Sequence, residues 1–245
     1  MTKTSVGFFW LGIRPAAAIL FGLIILGLVF ELVLSWISQR SGISLSGLDQ
    51  RASSSLISYG VSLLVSPWLM LGVTLIGIKS YSGDVPITSL VRSFGFQNRP
   101  HDSTMVATFV TAVLFVQLFT RVLIPWWSPD FLIPNPVDQI NALPLWFKLA
   151  IALTMITIVP VSEELLFRGV LYSCFAAAWN ELSGVLIPSL VFILMHPHNL
   201  ASGNAVTHFA FYGFTILMAI SRVISRGLYL PIMLHAGFNF SGLFF

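Results

Sequence analysis

Charged side chains are scarce in this chain. Only 9% of its 245 residues are Asp, Glu, Lys or Arg, whereas 56% are hydrophobic, and the mean hydropathy is +0.90. So few polar residues cannot cover a soluble globule of this length, and the composition predicts a helical membrane protein with several spans. Because apolar runs recur from residue 15 to the end with no long polar insertion, we expect residues 1–245 to form a single transmembrane domain.

Cysteine and clustered positive charge are also nearly absent. Cys174 is the only cysteine, so no intrachain disulfide forms, and its thiol is expected to act as a small hydrophobic group. The 12 Lys and Arg residues give a net charge of +3 but form no run, so no nucleic-acid partner is expected. The first apolar run, 15–37, is longer than the core of a signal peptide and predicts a transmembrane helix.

Hydropathy predicts an all-α bundle of about eight transmembrane helices with a cavity open to one side. The apolar segments lie near 15–37, 55–78, 104–124, 145–160, 163–179, 184–197, 205–224 and 229–245. The fourth to sixth are shorter than the roughly 20 residues that a perpendicular span needs, and short helices are tolerated where they end at a cavity. Pro160 should break or kink the chain just before a pair of glutamates.

That pair belongs to the stretch Val161-Ser-Glu-Glu-Leu-Leu-Phe-Arg168. Two carboxylates and a guanidinium facing lipid would cost on the order of 8 kcal/mol. Glu163, Glu164 and Arg168 must therefore face protein or water. Glu164 and Arg168 are four residues apart, so they share one face of a helix.

Further polar residues lie in the sixth and eighth segments. Phe192 and His196 are related as i and i+4, and so are His235 and Asn239. If eight spans alternate in direction, His235 lies about 9 Å inside the membrane and Asn239 one turn further towards the glutamates. The sequence thus predicts that the carboxylates, both histidines and the amide lie at one depth.

Three motifs therefore stand out on these helices: Glu163-Glu164-x-x-x-Arg168, Phe192-x-x-x-His196 and His235-x-x-x-Asn239. In order and spacing they resemble the motifs of the CPBP intramembrane proteases, also called the Abi or CAAX prenyl protease 2 (Rce1-like) family. The resemblance covers residues 145–245, whereas residues 1–140 match only as generic membrane helices. It implies an eight-helix endopeptidase that acts on a membrane-anchored substrate, which in one branch of the family is a prenylated CAAX tail.

The resemblance also implies roles for the first two motifs. Glu163 is expected to be the general base that activates a water molecule, and His196 to orient and deprotonate that water. Glu164 is expected to pair with Arg168, an organising residue, although the residues alone allow the two glutamates to exchange roles. Phe192 is expected to lie beneath the ring of His196.

For the third motif, Asn239 offers a neutral amide donor to the oxyanion, and His235 shares that task or holds the water. This mechanism needs no cofactor. An alternative enzymatic interpretation makes Glu163, His196 and His235 zinc ligands with water in the fourth position, but the chain has no H-E-x-x-H sequence.

Two alternatives from other classes stay open. Intramembrane Glu and His residues also build proton relays, which would suit a proton-coupled transporter. A non-catalytic membrane protein that binds another protein is the second. The sequence leaves the substrate and the oligomeric state open. A compact chain without retention signals favours a prokaryotic plasma membrane.

Overall fold

The structure, a computed structural model, describes residues 13–40, 50–97, 99–127, 143–196 and 205–244. Within these ranges the regular secondary structure is entirely helical, which confirms the predicted all-α class. Five helices in the described ranges are long and apolar enough to cross a membrane, and a shorter apolar helix joins them. The five are Ile13–Ile37, Ser53–Ser82, Asp102–Trp126, Leu145–Ala178 and His208–Ser225, and the shorter one is Glu181–Leu194. The chain is an all-α integral membrane protein.

We number the helices in chain order. They are α1 (Ile13–Arg40), α2 (Gln50–Ser82), α3 (Ile87–Val91), α4 (Asp102–Leu118), α5 (Ile124–Trp127), α6 (Leu145–Ile156), α7 (Ile158–Glu164), α8 (Tyr172–Ala178), α9 (Glu181–Leu194), α10 (Ala205–Ser225) and α11 (Tyr229–Phe244). Three π-helical turns continue α3, α4 and α7 respectively, namely Arg92–Phe96, Phe119–Leu123 and Leu165–Leu171.

The predicted count of eight spans is not confirmed, because two expected spans form one helical stretch. The segments near 145–160 and 163–179 run together as Leu145–Ala178, 34 residues long. The stretch is interrupted at Thr157, where φ is −117° and ψ is −67°. Pro160 explains this break, since it has no N–H for the carbonyl of Ile156 and its ring crowds that carbonyl. The glutamate pair therefore lies near the middle of a long stretch and not at the start of a separate span.

The π-helical turn after the glutamates lies at the centre of the bundle. All seven residues of Leu165–Leu171 are buried, and the turn packs against α2, α9 and the π-helical turn Arg92–Phe96. A helical turn that is buried on every face needs protein all around it. Arg168, at the centre of this turn, is therefore supported by protein from several sides.

Helix α11, which carries the third motif, is also enclosed. It packs against α4, α6, α7 and α10. Its approach to α4 is close at Gly237, where an added Cβ would lie 2.6 Å from the carbonyl oxygen of Phe109. Gln117 on α4 donates a hydrogen bond to the hydroxyl of Ser241 on α11, 2.6 Å away. These contacts fix the face of α11 that is presented to α7.

Candidate active site

The buried core of the site is an ion pair between Glu164 and Arg168. Nη1 of Arg168 lies 3.1 Å from Oε1 of Glu164, as the i, i+4 spacing indicates, and both side chains are buried. Nη2 of Arg168 donates to the carbonyl oxygen of Thr215 on α10, 3.1 Å away. The guanidinium carbon also lies 4.7 Å from the ring centre of Phe192, within the range of a cation–π contact. Arg168 is therefore held by three different elements.

His235 lies across both glutamates. Its Nδ1 is 2.9 Å from Oε1 of Glu164, and its Nε2 is 3.7 Å from Oε2 of Glu163. An ionised carboxylate only accepts hydrogen bonds, so Nδ1 carries the proton and donates it to Glu164. In the neutral imidazole Nε2 is then an acceptor. It faces Oε2 of Glu163, which is also an acceptor, at a distance too long for a direct hydrogen bond.

The two glutamates differ in their surroundings. The side chain of Glu164 is 0% exposed and that of Glu163 is 15% exposed. Oε2 of each glutamate is buried and has no hydrogen-bond partner among the described residues. A buried carboxylate oxygen needs a donor, and a water molecule or a substrate N–H can supply one. Each glutamate therefore offers one buried acceptor atom that no described residue satisfies.

His196 and His235 lie against the same aromatic ring. The ring centres of Phe192 and His196 are 4.4 Å apart, and those of Phe192 and His235 are 6.1 Å apart in an edge-to-face arrangement. His196 also donates from Nδ1 to the carbonyl oxygen of Phe192, 2.7 Å away, since a carbonyl only accepts. Phe192 thus lies against His196, as expected, and also joins the two histidines.

Asn239 lies at the helix break. Its Nδ2 donates to the carbonyl oxygen of Met155, 2.8 Å away. Met155 is in the last turn of α6, where carbonyls lack helical donors. The amide therefore ties α11 to α6, and one of its two N–H groups is used in this bond. The structure thus gives the expected oxyanion donor an interhelical role.

Sequence reasoning missed two groups that hold Arg168. One is the carbonyl of Thr215, which no side-chain pattern reveals. The other is Arg222, which is buried on α10 and donates from Nε to the carbonyl oxygen of Arg168, 2.9 Å away. The sequence does contain a sign of Arg222, because this charged residue lies inside the apolar segment 205–224. A charge within an apolar segment is also what marks Arg168.

The three residues of the alternative zinc interpretation are not grouped as one ligand set in the part of the chain that the structure describes. Across the ranges that the structure describes, no three His, Cys, Asp or Glu side chains are grouped as metal ligands. As they lie in this arrangement, Glu163, His196 and His235 are therefore not grouped around one ion position.

Known proteins are similar to this chain over the stretch that carries the three motifs. Residues 144–241 match the family model described as type II CAAX prenyl endopeptidase Rce1-like. An Escherichia coli protein described as an uncharacterized 24.3 kDa protein is 33% identical over 95 residues, which are 38% of this chain and 42% of that relative. The match thus spans less than half of the relative's length, and no solved structure matches the chain. The resemblance drawn from the motifs is confirmed, since residues 144–241, which contain all three, are similar to the Rce1-like CAAX prenyl endopeptidases.

Proposed function

We propose that this chain is an intramembrane endopeptidase that hydrolyses a peptide bond with a water molecule held between Glu163 and His235. The observation that carries the proposal is the position of His235, whose Nδ1 is 2.9 Å from Glu164 and whose Nε2 is 3.7 Å from Glu163. This pattern, in which one carboxylate orients an imidazole and a second lies at its other nitrogen, is suited to activating a water. The family match over residues 144–241 supports the same reaction.

The water has a defined orientation in this proposal. Oε2 of Glu163 and Nε2 of His235 are both acceptors, so one water donates a hydrogen to each. Atoms 3.7 Å apart can share a water about 2.8 Å from both, which then lies to one side of the line between them. Its lone pairs are left pointing away from the protein groups and towards a substrate carbonyl.

Hydrolysis then follows without a covalent enzyme intermediate. The water oxygen bonds to the carbonyl carbon while one water proton passes to Glu163. The C–N bond breaks as the tetrahedral intermediate collapses, and Glu163 returns the proton to the leaving amine. Glu164 keeps the proton of His235 on Nδ1, and Arg168 offsets the charge of Glu164 inside the bundle.

Two roles expected from the sequence complete the proposal. Asn239 donates its second N–H to the oxyanion, from the helix face that its bond to Met155 fixes. His196 helps to orient and deprotonate the water, and its ring lies against Phe192, which His235 also contacts. Neither role requires a metal.

The substrate is proposed to be a membrane-anchored protein or peptide, including a lipidated or prenylated CAAX-type tail. An anchored substrate suits a site near the middle of the 34-residue stretch Leu145–Ala178. We propose that residues 1–245 act as one domain, since α2 and α4 pack against the helices that carry the motifs. A prokaryotic plasma membrane is the proposed location.

Proteomics of protein termini tests the function. Membranes from cells with the wild type should contain new termini that are absent in cells with Glu163→Gln, because the amide cannot accept the water proton. Glu31→Gln is the matched control, since Glu31 lies on α1, where it accepts a hydrogen bond from Ser62, 3.1 Å away. Identical termini with all three proteins would reject the protease, and substrate flux in proteoliposomes would then favour a transporter.

The two histidines are tested against each other. Because His235 contacts both glutamates, His235→Ala should reduce cleavage at least as much as His196→Ala, by about 100-fold or more. Turnover of one purified substrate by each variant measures this. If His235→Ala retains clearly more activity than His196→Ala, the water is held at His196 and our placement of it is wrong.

A further inference from the structure

A second buried arginine lies beside the site and has no part in the proposed reaction. Arg222 is 8% exposed, although it lies in a helix long and apolar enough to cross a membrane, His208–Ser225. Its Nε donates to the carbonyl oxygen of Arg168, 2.9 Å away, and its Nη2 to that of Phe94, 3.3 Å away. Its guanidinium carbon lies 5.0 Å from the ring centre of Tyr172. A charge inside a membrane protein is costly to retain, so this one is expected to have a function.

Arg168 and Arg222 hold each other's helices reciprocally. The side chain of Arg168 donates to the carbonyl of Thr215 on α10, while Arg222 on α10 donates to the carbonyl of Arg168. Thr215 and Arg222 are seven residues apart, so they lie on one face of α10 about two turns from each other. Arg168 is thus fixed to the same helix both through its side chain and through its backbone.

The backbone position that Arg222 holds is an irregular one. Arg168 is the central residue of the π-helical turn Leu165–Leu171. Such turns are rare and occur frequently at functional sites, and their backbone is less regular than that of an α-helix. A guanidinium bonded to a carbonyl inside the turn opposes rotation of that peptide. The second carbonyl that Arg222 holds, that of Phe94, belongs to the turn Arg92–Phe96, so the Arg222 side chain bonds α10 to two separate turns.

We infer that Arg222 is a positioning residue of the site. By holding the carbonyl of Arg168 it fixes the turn from which the Arg168 side chain reaches Glu164, and Glu164 in turn holds Nδ1 of His235. The sequence of contacts is continuous, with distances of 2.9 Å, 3.1 Å and 2.9 Å. The expected loss of activity when Arg222 is replaced rests on the proposed function. The expected change at the bond between Glu164 and His235 does not.

Enzyme kinetics test the catalytic consequence. Arg222→Met removes both donors at a similar side-chain length, so kcat should fall by about 10–100-fold, the range for outer groups that orient catalytic ones. KM should stay within about twofold, because no substrate contact is lost. Arg222→Lys keeps a donor and the charge, and should recover part of kcat.

Nuclear magnetic resonance tests the structural consequence without any need for activity. The proton that His235 shares with Glu164 should give a downfield signal in protein with ¹⁵N-labelled histidine, assigned among the five histidines by its loss in His235→Gln. Arg222→Met should shift or broaden this signal at temperatures well below unfolding. A role limited to stability would lower the unfolding temperature and leave the signal unchanged.

Arg226→Met is the matched control, because it removes the same charge from an exposed arginine just past the end of α10. It should leave both kcat and the signal unchanged. If Arg222→Met does not fold, Arg222→Leu, which also removes both donors, takes its place in both measurements. An unchanged signal in folded Arg222→Met or Arg222→Leu would overturn the inference. If the wild type cleaves no substrate, the proposed function fails and the signal alone decides the positioning role.

Discussion

Glu163 and Glu164 are neighbours in the sequence but have different partners. Glu164 is fully buried, accepts hydrogen bonds from Arg168 and His235, and so resembles a fixed structural anion. Glu163 is 15% exposed, and its Oε2 faces His235 across 3.7 Å. Since a general base must reach its water, these surroundings support Glu163 as the base and Glu164 as the residue that orients the imidazole. The sequence alone allowed the two glutamates to exchange roles. Their different burial and partners in the structure favour one assignment of those roles.

Substitution of each glutamate by glutamine separates these roles. Glu164→Gln leaves the buried Arg168 without its counter-ion, which should lower the free energy of unfolding by about 3–5 kcal/mol. Glu163→Gln breaks no ion pair with an arginine, so it should abolish cleavage while the unfolding temperature stays near that of the wild type. Thermal unfolding in detergent, measured beside peptide cleavage, checks both. Equal losses of stability in the two variants would show that the glutamates are not distinguished in this way.

Removal of metal ions is a second test of the roles of the site residues. Because Glu163, His196 and His235 are not grouped as ligands, activity should persist within about twofold after dialysis against a chelator. Cleavage of one substrate before and after dialysis measures this, with metal content checked by elemental analysis. Loss of activity that added zinc restores would mean that the three side chains rearrange to bind metal.

The residue pairs close together in the sequence were predictable, whereas those between helices were not. The pairing of Glu164 with Arg168 and the stacking of His196 on Phe192 follow from i, i+4 spacing alone. The bond from Asn239 to Met155 does not, because it requires the carbonyl that the break at Thr157 releases. Contacts across helices depend on how each helix is rotated, and no local pattern records that rotation.

At the scale of elements, the site depends on one close approach between α4 and α11. Gly237 lies two residues after His235 and two before Asn239, so any shift of the backbone there moves both motif residues. The Cβ of an alanine would lie 2.6 Å from the carbonyl oxygen of Phe109 and 2.8 Å from Cβ of Ala112. These contacts are closer than van der Waals packing allows, and α4 cannot yield without breaking other contacts.

Gly237→Ala should therefore reduce stability by about 1–3 kcal/mol and lower cleavage as well. Gly242→Ala on the same helix is the control, because an added Cβ there has no atom within 4 Å. The control should match or slightly exceed the wild type in stability, since alanine favours a helix more than glycine does. Thermal unfolding and cleavage of all three proteins provide the measurement, and a Gly237→Ala protein as stable and active as the control would contradict this packing.

At the scale of the whole molecule, composition predicted an all-α membrane bundle but not the number of spans. A low charge content with recurring apolar runs requires helices that satisfy their own backbone hydrogen bonds. Hydropathy divided Leu145–Ala178 at the polar residues around Pro160, although the backbone continues through them with one break at Thr157. Whether a polar interruption is a loop or a buried site depends on the surrounding helices, which hydropathy does not describe.

The depth of the site leads to a prediction about substrates. A stretch of 34 residues extends about 50 Å at 1.5 Å per residue, more than the roughly 30 Å hydrocarbon core, and the glutamate pair lies near its middle. A peptide held at the membrane by a lipid reaches this depth at a much higher local concentration than a free peptide. In liposomes, kcat/KM for a lipidated peptide should exceed that of the same peptide without lipid by about tenfold or more. Glu163→Gln with the lipidated peptide is the blank, and equal rates for the two peptides would mean that the site is reached from water without an anchor.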